Sequence, residues 1–213
     1  MKKKIQIIAT VKDGLAIARG NYFRLIATTF LYLLSSCIPY INIGTSIAVG
    51  ALPAEMIKGK EIDPFYIFDS KYRRNMGEYL ILVFLMLGAV FMGFFMGIIP
   101  GLVISIAWSF AAVLFVDKNM NSLEALRESN RLTYGNKWRI FAAEMLPALV
   151  LTVLVTIVAV LCGIGNHVWL NTLGALIDLV IVIIFVPALY GVQASIYKQL
   201  TEEEPIETPV EVQ

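Results

Sequence analysis

Residues 79–116 read YLILVFLMLGAVFMGFFMGIIPGLVISIAWSFAAVLFV, 38 positions without an Asp, Glu, Lys or Arg. A helix needs about 20 apolar residues to cross the hydrocarbon core of a bilayer. The run therefore predicts two crossings and a turn. The turn is legible at Gly97-Ile98-Ile99-Pro100-Gly101, because proline removes a helix donor and glycine frees φ. Strands of a membrane barrel alternate apolar and polar residues over about 10 positions. Neither this run nor Leu149-Val150-Leu151-Thr152-Val153-Leu154-Val155 alternates. In lipid, a continuous apolar run has to pair its own backbone groups, which means helix.

The rest of the chain reads the same way. Leu25–Ala54, Met145–Ile177 and Leu179–Tyr197 also lack formal charges. The first breaks at Pro39-Tyr40-Ile41-Asn42-Ile43-Gly44, predicting spans over 23–38 and 43–57. The last apolar region breaks at Gly163-Ile164-Gly165-Asn166-His167, predicting spans over 138–162 and 171–197. The expectation is an all-α, polytopic transmembrane bundle of six spans in three hairpins over residues 1–200. An acidic, unfolded tail follows over 201–213, with Glu202, Glu203, Glu204, Glu207 and Glu211. Composition agrees: 58% of the 213 residues are apolar and 15% charged, against about 45–50% and 25% in soluble domains. Mean hydropathy is +0.76. These values argue against a free cytosolic enzyme or a secreted scaffold, and a net charge of +1 argues against nucleic-acid binding.

Orientation follows from the cations, which mark cytoplasmic loops. Of the 17 Lys and Arg, six lie at the amino end and five between the second and third expected spans. Five more lie between the fourth and fifth, and Lys198 follows the sixth. All fall on one side, predicting both termini on the cytoplasmic face of a cell's inner membrane. Residues 5–19, about 64–76 and about 121–134 read as amphipathic helices lying on the inner headgroups. Lys2-Lys3-Lys4 before a short apolar stretch does not read as a signal peptide.

A block recurs. Gly20-Asn21-Tyr22-Phe23-Arg24 precedes the first expected span and Gly135-Asn136-Lys137-Trp138-Arg139 the fifth; Arg74-Asn75-Met76 is a weaker third copy. The expected roles are Gly ending a surface helix, Asn capping the next, the aromatic at headgroup level and Arg reaching phosphate. Three related units are implied. The run Leu123-Glu124-Ala125-Leu126-Arg127-Glu128-Ser129, followed by Tyr134-Gly135-Asn136-Lys137-Trp138-Arg139 and preceded by Ile99-Pro100-Gly101, resembles a group of bacterial polytopic membrane proteins. That group includes the membrane domain found ahead of some glycerophosphodiester phosphodiesterases. The resemblance covers roughly residues 95–150. It implies a six-helix membrane protein; the phosphodiesterase catalytic domain itself is absent, so no activity carries over.

Ionisable groups within apolar runs are the candidate chemistry. Asp178, with no base before Lys198, reads as a proton or cation site or as a polar contact between helices. Glu144, five residues after Arg139 near the inner face, reads as an intrahelical or cross-helix ion pair or, with Asp178 and Arg139, as a candidate intramembrane polar site. Glu55 and Lys58 read as an interfacial i,i+3 pair. Arg73, Arg74, Arg127 and Arg131 are expected lipid-headgroup contacts, and Gly93 and Gly97 expected helix-packing positions. His167 is the one histidine, and a single His makes no metal site. Cys37 and Cys162 read as small apolar side chains or, alternatively, a disulfide. No phosphate-binding glycine loop, metalloprotease motif or Ser–His–Asp set is present, so neither an enzyme nor a cofactor or metal is expected. Two function classes stand. One is a non-catalytic scaffold or lipid-associated assembly factor, with membrane lipids and a second copy or other membrane proteins as partners. The alternative is a small transporter or channel-like protein using Asp178.

Overall fold

The computed structural model describes residues 4–59, 61–163 and 168–202. Ten α-helices and one 3-10 turn account for most of them, and no strand occurs among the described residues. The helices are α1 (Ile7–Gly20), α2 (Tyr22–Ser35), α3 (Pro39–Ile57), α4 (Ser70–Arg73), α5 (Met76–Met96), α6 (Ile98–Ala107), α7 (Ala111–Asp117), α8 (Ser122–Thr133), α9 (Lys137–Gly163) and α10 (Val168–Glu202); the 3-10 turn is Pro64–Phe68. Four segments are long and apolar enough to cross a membrane: Met76–Met96, Ile98–Asp117, Lys137–Gly163 and Trp169–Glu202. The chain is thus a helical protein with four candidate membrane spans. Gly165, Asn166, His167 and the tail from 203 onward lie outside the described residues.

The four candidate spans pack as two sequential pairs, α5 with α6 and α9 with α10. In the first, α5 and α6 turn on the single residue Gly97, at φ +150°, a region that side chains other than glycine rarely adopt. Pro100 sits in the first turn of α6, where its missing N–H is not needed. The expected five-residue turn is therefore one residue. Gly93 faces Gly101: a Cβ on Gly93 would lie 3.0 Å from the Gly101 Cα, and one on Gly101 would lie 2.5 Å from the Phe94 ring. Further down the same register, the Tyr79 and Phe115 rings meet at 5.8 Å. In the second hairpin, Gly174 packs on Cys162; both cysteines are free thiols and Cys37 is exposed. The outer parts of both hairpins display apolar side chains such as Phe84, Phe91, Phe95, Leu149, Leu161, Leu173 and Val180.

At the other end the elements pack into a body whose core holds Leu82, Phe110, Leu114, Ile140, Val192, Ile196 and Tyr197. One polar contact organises it. The second candidate span breaks at Trp108-Ser109-Phe110, between α6 and α7. A break in an apolar span strands backbone groups that have no water to turn to. The fully buried Ser129 of α8 serves them both: its hydroxyl donates to the Ala107 carbonyl at 2.8 Å and accepts from the Phe110 N–H at 3.3 Å. Thr133 adds a longer contact to the same carbonyl at 3.4 Å. The start of α8 is held by Ser122, which donates to the Glu78 carbonyl at 2.7 Å, and by a capping box between Asn121 and Glu124.

Helix α1 packs one face on α10. It runs along the carboxy-terminal part of α10, burying Thr10, Gly14 and Ala18. A Cβ on Gly14 would fall 2.6 Å from the Val192 Cα, and one on Gly191 would collide with the Gly14 carbonyl. Backbones approach this closely only where Cβ atoms are missing. Residues 64–76 are not one surface helix, because Asp63 and Asp69 each cap a separate short turn. The break after α2 falls at Ser36-Cys37-Ile38 instead of 39–44, since Pro39 stands in the first turn of α3, a place proline suits. Helix α2 has 14 residues, about 21 Å at 1.5 Å per residue. Helix α3 is largely buried, and its Gly44 packs on the Arg73 and Met76 side chains.

The recurring block has a shared structural job that differs from the expected one. Asn21 caps no helix through its side chain; it accepts from the Ile62 N–H at 3.3 Å, while Arg24 pairs with Glu61 at 2.8 Å. Asn136 accepts from the Ile5 N–H at 3.4 Å, and Arg139 donates to the Ile5 carbonyl at 3.0 Å. In both copies Asn and Arg together clamp one remote extended segment.

Replacing Ser129 with Ala should cost about 1–3 kcal/mol, the range for leaving a buried backbone group unpaired. Ser105, which bonds only its own helix at the Leu102 carbonyl, is the control. Ser105→Ala should shift the melting temperature in detergent far less. Equal shifts for the two would mean the α6–α7 break is satisfied without Ser129.

Candidate functional site

Two compartments lie along α3, one on each side of the Tyr79–Phe115 ring contact. The larger, about 470 Å³, opens between α2, α3, α5, α7 and α10. Its polar lining is uncharged: Tyr32, Asn42, Ser46, Tyr79, Tyr190 and Gln193. Some of these order one another. Tyr32 and Ser46 share a hydrogen bond at 3.2 Å, and Ser46 donates to the side-chain amide oxygen (Oδ1) of Asn42 at 3.2 Å. Beneath them the buried Ser35 and Thr45 hydroxyls meet at 2.9 Å and tie α2 to α3. Apolar residues such as Ile43, Val49, Leu80 and Val83 complete the wall. A cavity so lined can hold a molecule by hydrogen bonds and contact, and it offers no nucleophile–base pair for chemistry.

The smaller compartment, about 270 Å³, is charged, with Glu55, Lys58, Lys71 and Asp117 in its lining. Lys58 bridges two carboxylates, Glu55 and Asp117, each at 3.0 Å. Asp117 also accepts from the Tyr197 hydroxyl at 2.7 Å. This knot joins α3, the end of the second candidate span and α10. Partial burial acts to lower the Lys58 pKa, but the hydrogen bonds to Asp117 and Glu55 outweigh it and hold it above the usual 10.5. Tyr66, donating to the Ala48 carbonyl at 2.8 Å, is pushed well up from its ordinary value by desolvation.

The residues expected to form an intramembrane polar site are scattered. Asp178 and Glu144 each keep one buried carboxylate oxygen without a hydrogen-bond partner. No hydrogen bond or ion pair joins Asp178, Glu144 and Arg139 to one another among the described residues. Arg139 spends its guanidinium on the Ile5 carbonyl, so the expected Arg139–Glu144 ion pair is not formed; the extended segment before α1 competes for the same group. Among the expected headgroup contacts, Arg131 is held bidentately by Glu128 at 2.8 Å. Arg73 lays its stem on Gly44 and donates to the Phe68 carbonyl at 3.3 Å. Arg74 and Arg127 are exposed. The Gly93 face is filled by Gly101 and Ile104, while Gly97 is the turn.

The cavity residues escape a search for charges. Tyr79, Tyr190 and Gln193 sit as neutral interruptions in apolar runs, and that is the one sequence signal they leave. Fold and site together define a helical membrane protein with a polar cavity beside an ion-paired knot. No family model, curated protein or solved structure matches the chain.

Lys58→Met should destabilise the protein more than Glu55→Gln, because it leaves Asp117 with Tyr197 alone. The pH dependence has a defined sign. A lysine whose folded pKa lies above its unfolded one contributes stability that is complete below about pH 10.5 and lost as pH rises through the folded value. Melting curves of the parent should therefore fall on the alkaline side, and Lys58→Met should flatten that limb. A limb unchanged by the substitution would separate the knot from stability.

Proposed function

We propose that this protein is a non-catalytic membrane scaffold or assembly factor that associates with anionic lipid through a cation-rich body on the inner side of a bacterial inner membrane. The observation that carries the reading is the convergence of charges. Every charged end of the four candidate spans, at Arg73-Arg74, Asp117-Lys118, Lys137 and Lys198, joins the body, and both hairpin arms beyond it display apolar side chains. Anionic headgroups attract such cations by about 1 kcal/mol per residue near the surface. Both termini belong on the body side in this reading.

Four spans accommodate this better than six. Gly44 packs on Arg73, so the start of α3 lies at the level of the body cations, and the 36–38 turn is only a short way beyond. Helix α2 is also about one third too short for a 30 Å core. The reading makes α2–α3 a hairpin laid against the inner ends of the spans. The internal repeat is then a repeat of the Asn–Arg clamp more than of the spans. The relation to the membrane domain found ahead of phosphodiesterases remains a reading of residues 95–150 and brings no activity.

A second reading, a small transporter, is supported by the uncharged cavity and by the unpartnered oxygen of Asp178. Asp178 does not line that cavity, so the two features would have to act at different steps.

Topology is testable on the native thiol. In a Cys162→Ser background, a membrane-impermeant maleimide added outside intact cells should fail to modify Cys37 until the membrane is opened. Modification from outside would restore six spans. For the lipid reading, neutralising Arg73, Arg74, Arg127 and Arg131 together should lower the phosphatidylglycerol that co-purifies with the protein. Most of that loss should come from the exposed Arg74 and Arg127. Unchanged co-purification would remove the lipid role.

A further inference from the structure

The groove between α8 and the first hairpin has an apolar floor and one cation at its rim. It has a volume of about 350 Å³ and is lined by Leu85, Ala89, Trp108, Leu123, Leu126, Arg127 and Asn130. Leu85 and Ala89 belong to a candidate membrane span. Leu123, Leu126, Arg127 and Asn130 recur at i, i+3, i+4 and i+7, one face of α8. Leu123 leaves 56% of its surface uncovered beside the groove. The cations near this face are not equivalent. Arg131 is held by Glu128, and Lys118 lies 3.8 Å from the same carboxylate. Lys137 donates to Asn130 at 3.0 Å. Glu124, three residues before Arg127, is occupied by the capping box. Arg127 alone of this group has no ion-pair or hydrogen-bond partner among the described residues. The groove wall is rigid, because Ser129 fixes α8 to the Ala107–Phe110 break directly behind Trp108.

We propose that this groove is a specific site for one anionic phospholipid, with its phosphate on the Arg127 guanidinium and an acyl chain lying over Leu123, Trp108, Leu85 and Ala89. The inference rests on the lipid-associated reading and deepens it. That reading needs only a diffuse preference for anionic lipid, whereas this one assigns a single cation and a single furrow. The chemistry is matched at both ends. A guanidinium offers paired donors to phosphate oxygens, and the floor below it is apolar and continuous with the membrane-facing side of α5. Arg127 lies one turn of α8 from a leucine that is otherwise left uncovered, which is the spacing between a headgroup phosphate and the first part of its chain.

Trp108 provides the readout. With Trp138→Phe and Trp169→Phe it becomes the one tryptophan in the full-length protein. Phospholipids brominated on the acyl chain quench tryptophan on contact, so Trp108 fluorescence in detergent-lipid micelles reports occupancy of the groove. Brominated phosphatidylglycerol should quench at a several-fold lower mole fraction than brominated phosphatidylcholine. Arg127→Gln should abolish that difference, and Arg127→Lys should keep part of it. Arg19→Gln, which removes an exposed cation on α1, should leave it intact. Inorganic phosphate at millimolar concentration should not relieve the quenching, since the chain contributes to binding. Equal quenching by the two lipids in the parent, or an unchanged preference in Arg127→Gln with the fold intact by circular dichroism, overturns the site. Relief by inorganic phosphate also overturns it, in favour of a free-anion site. If phosphatidylglycerol still co-purifies selectively in either case, the broader lipid reading survives; if it does not, both fall.

Discussion

The hydroxyl of Ser129 stands where a membrane span stops being a helix. A broken helix inside an apolar segment leaves an N–H and a carbonyl with no partner, and a buried backbone group left unpaired costs about 1–3 kcal/mol. Ser129 satisfies one of each, at Phe110 and Ala107. Because it does so from α8, that helix cannot drift from the hairpin. Its docking in turn places Leu126 and Leu132 in the core with Phe110 and Tyr197. The rings of Phe110 and Tyr197 stack at 6.2 Å, and the Tyr197 hydroxyl reaches Asp117 in the charged knot. One buried serine therefore connects the break in a span to the ion pairs that close the body.

Much of this was legible in residues 79–116, because the length of an uncharged run and the Gly97–Pro100 punctuation measure span and turn directly. The α6–α7 break was not. Trp108, Ser109 and Phe110 are compatible with helix, and what stabilises the interruption is a hydroxyl 19 residues further on. Helices α2 and α3, where the first expected hairpin falls, are not among the four candidate spans. Hydropathy records how apolar residues 25–54 are, and a helix packed inside a protein body is as apolar as one in lipid. Pro39 looked like a breaker but opens α3. The length of α2 and the Gly44–Arg73 contact are tertiary facts with no local signature.

The candidate site shows the same division. Glu55 and Lys58 pair as their i,i+3 spacing suggested, a local property. Asp117, which completes the knot, comes from a distant part of the chain. Charge makes Asp178, Glu144 and Arg139 conspicuous in apolar runs, but no hydrogen bond or ion pair joins them to one another among the described residues. The cavity is instead built from neutral side chains between Tyr32 and Gln193, each unremarkable alone and brought together only by the crossing of α3 with α7 and α10.

The seam between α1 and α10 has a consequence for how the chain is made. Thr10 and Gln199, hydrogen-bonded at 3.1 Å, are 189 positions apart, and Ile5 meets Asn136 across 131. A ribosome adding about 5–20 residues per second needs on the order of ten to forty seconds to supply the partner of Thr10. Throughout that interval the glycine face of α1 lacks its partner on α10, although Asn136 and Arg139, which clamp Ile5, are supplied earlier. The seam between α1 and α10 thus closes only after every helix between them has been made.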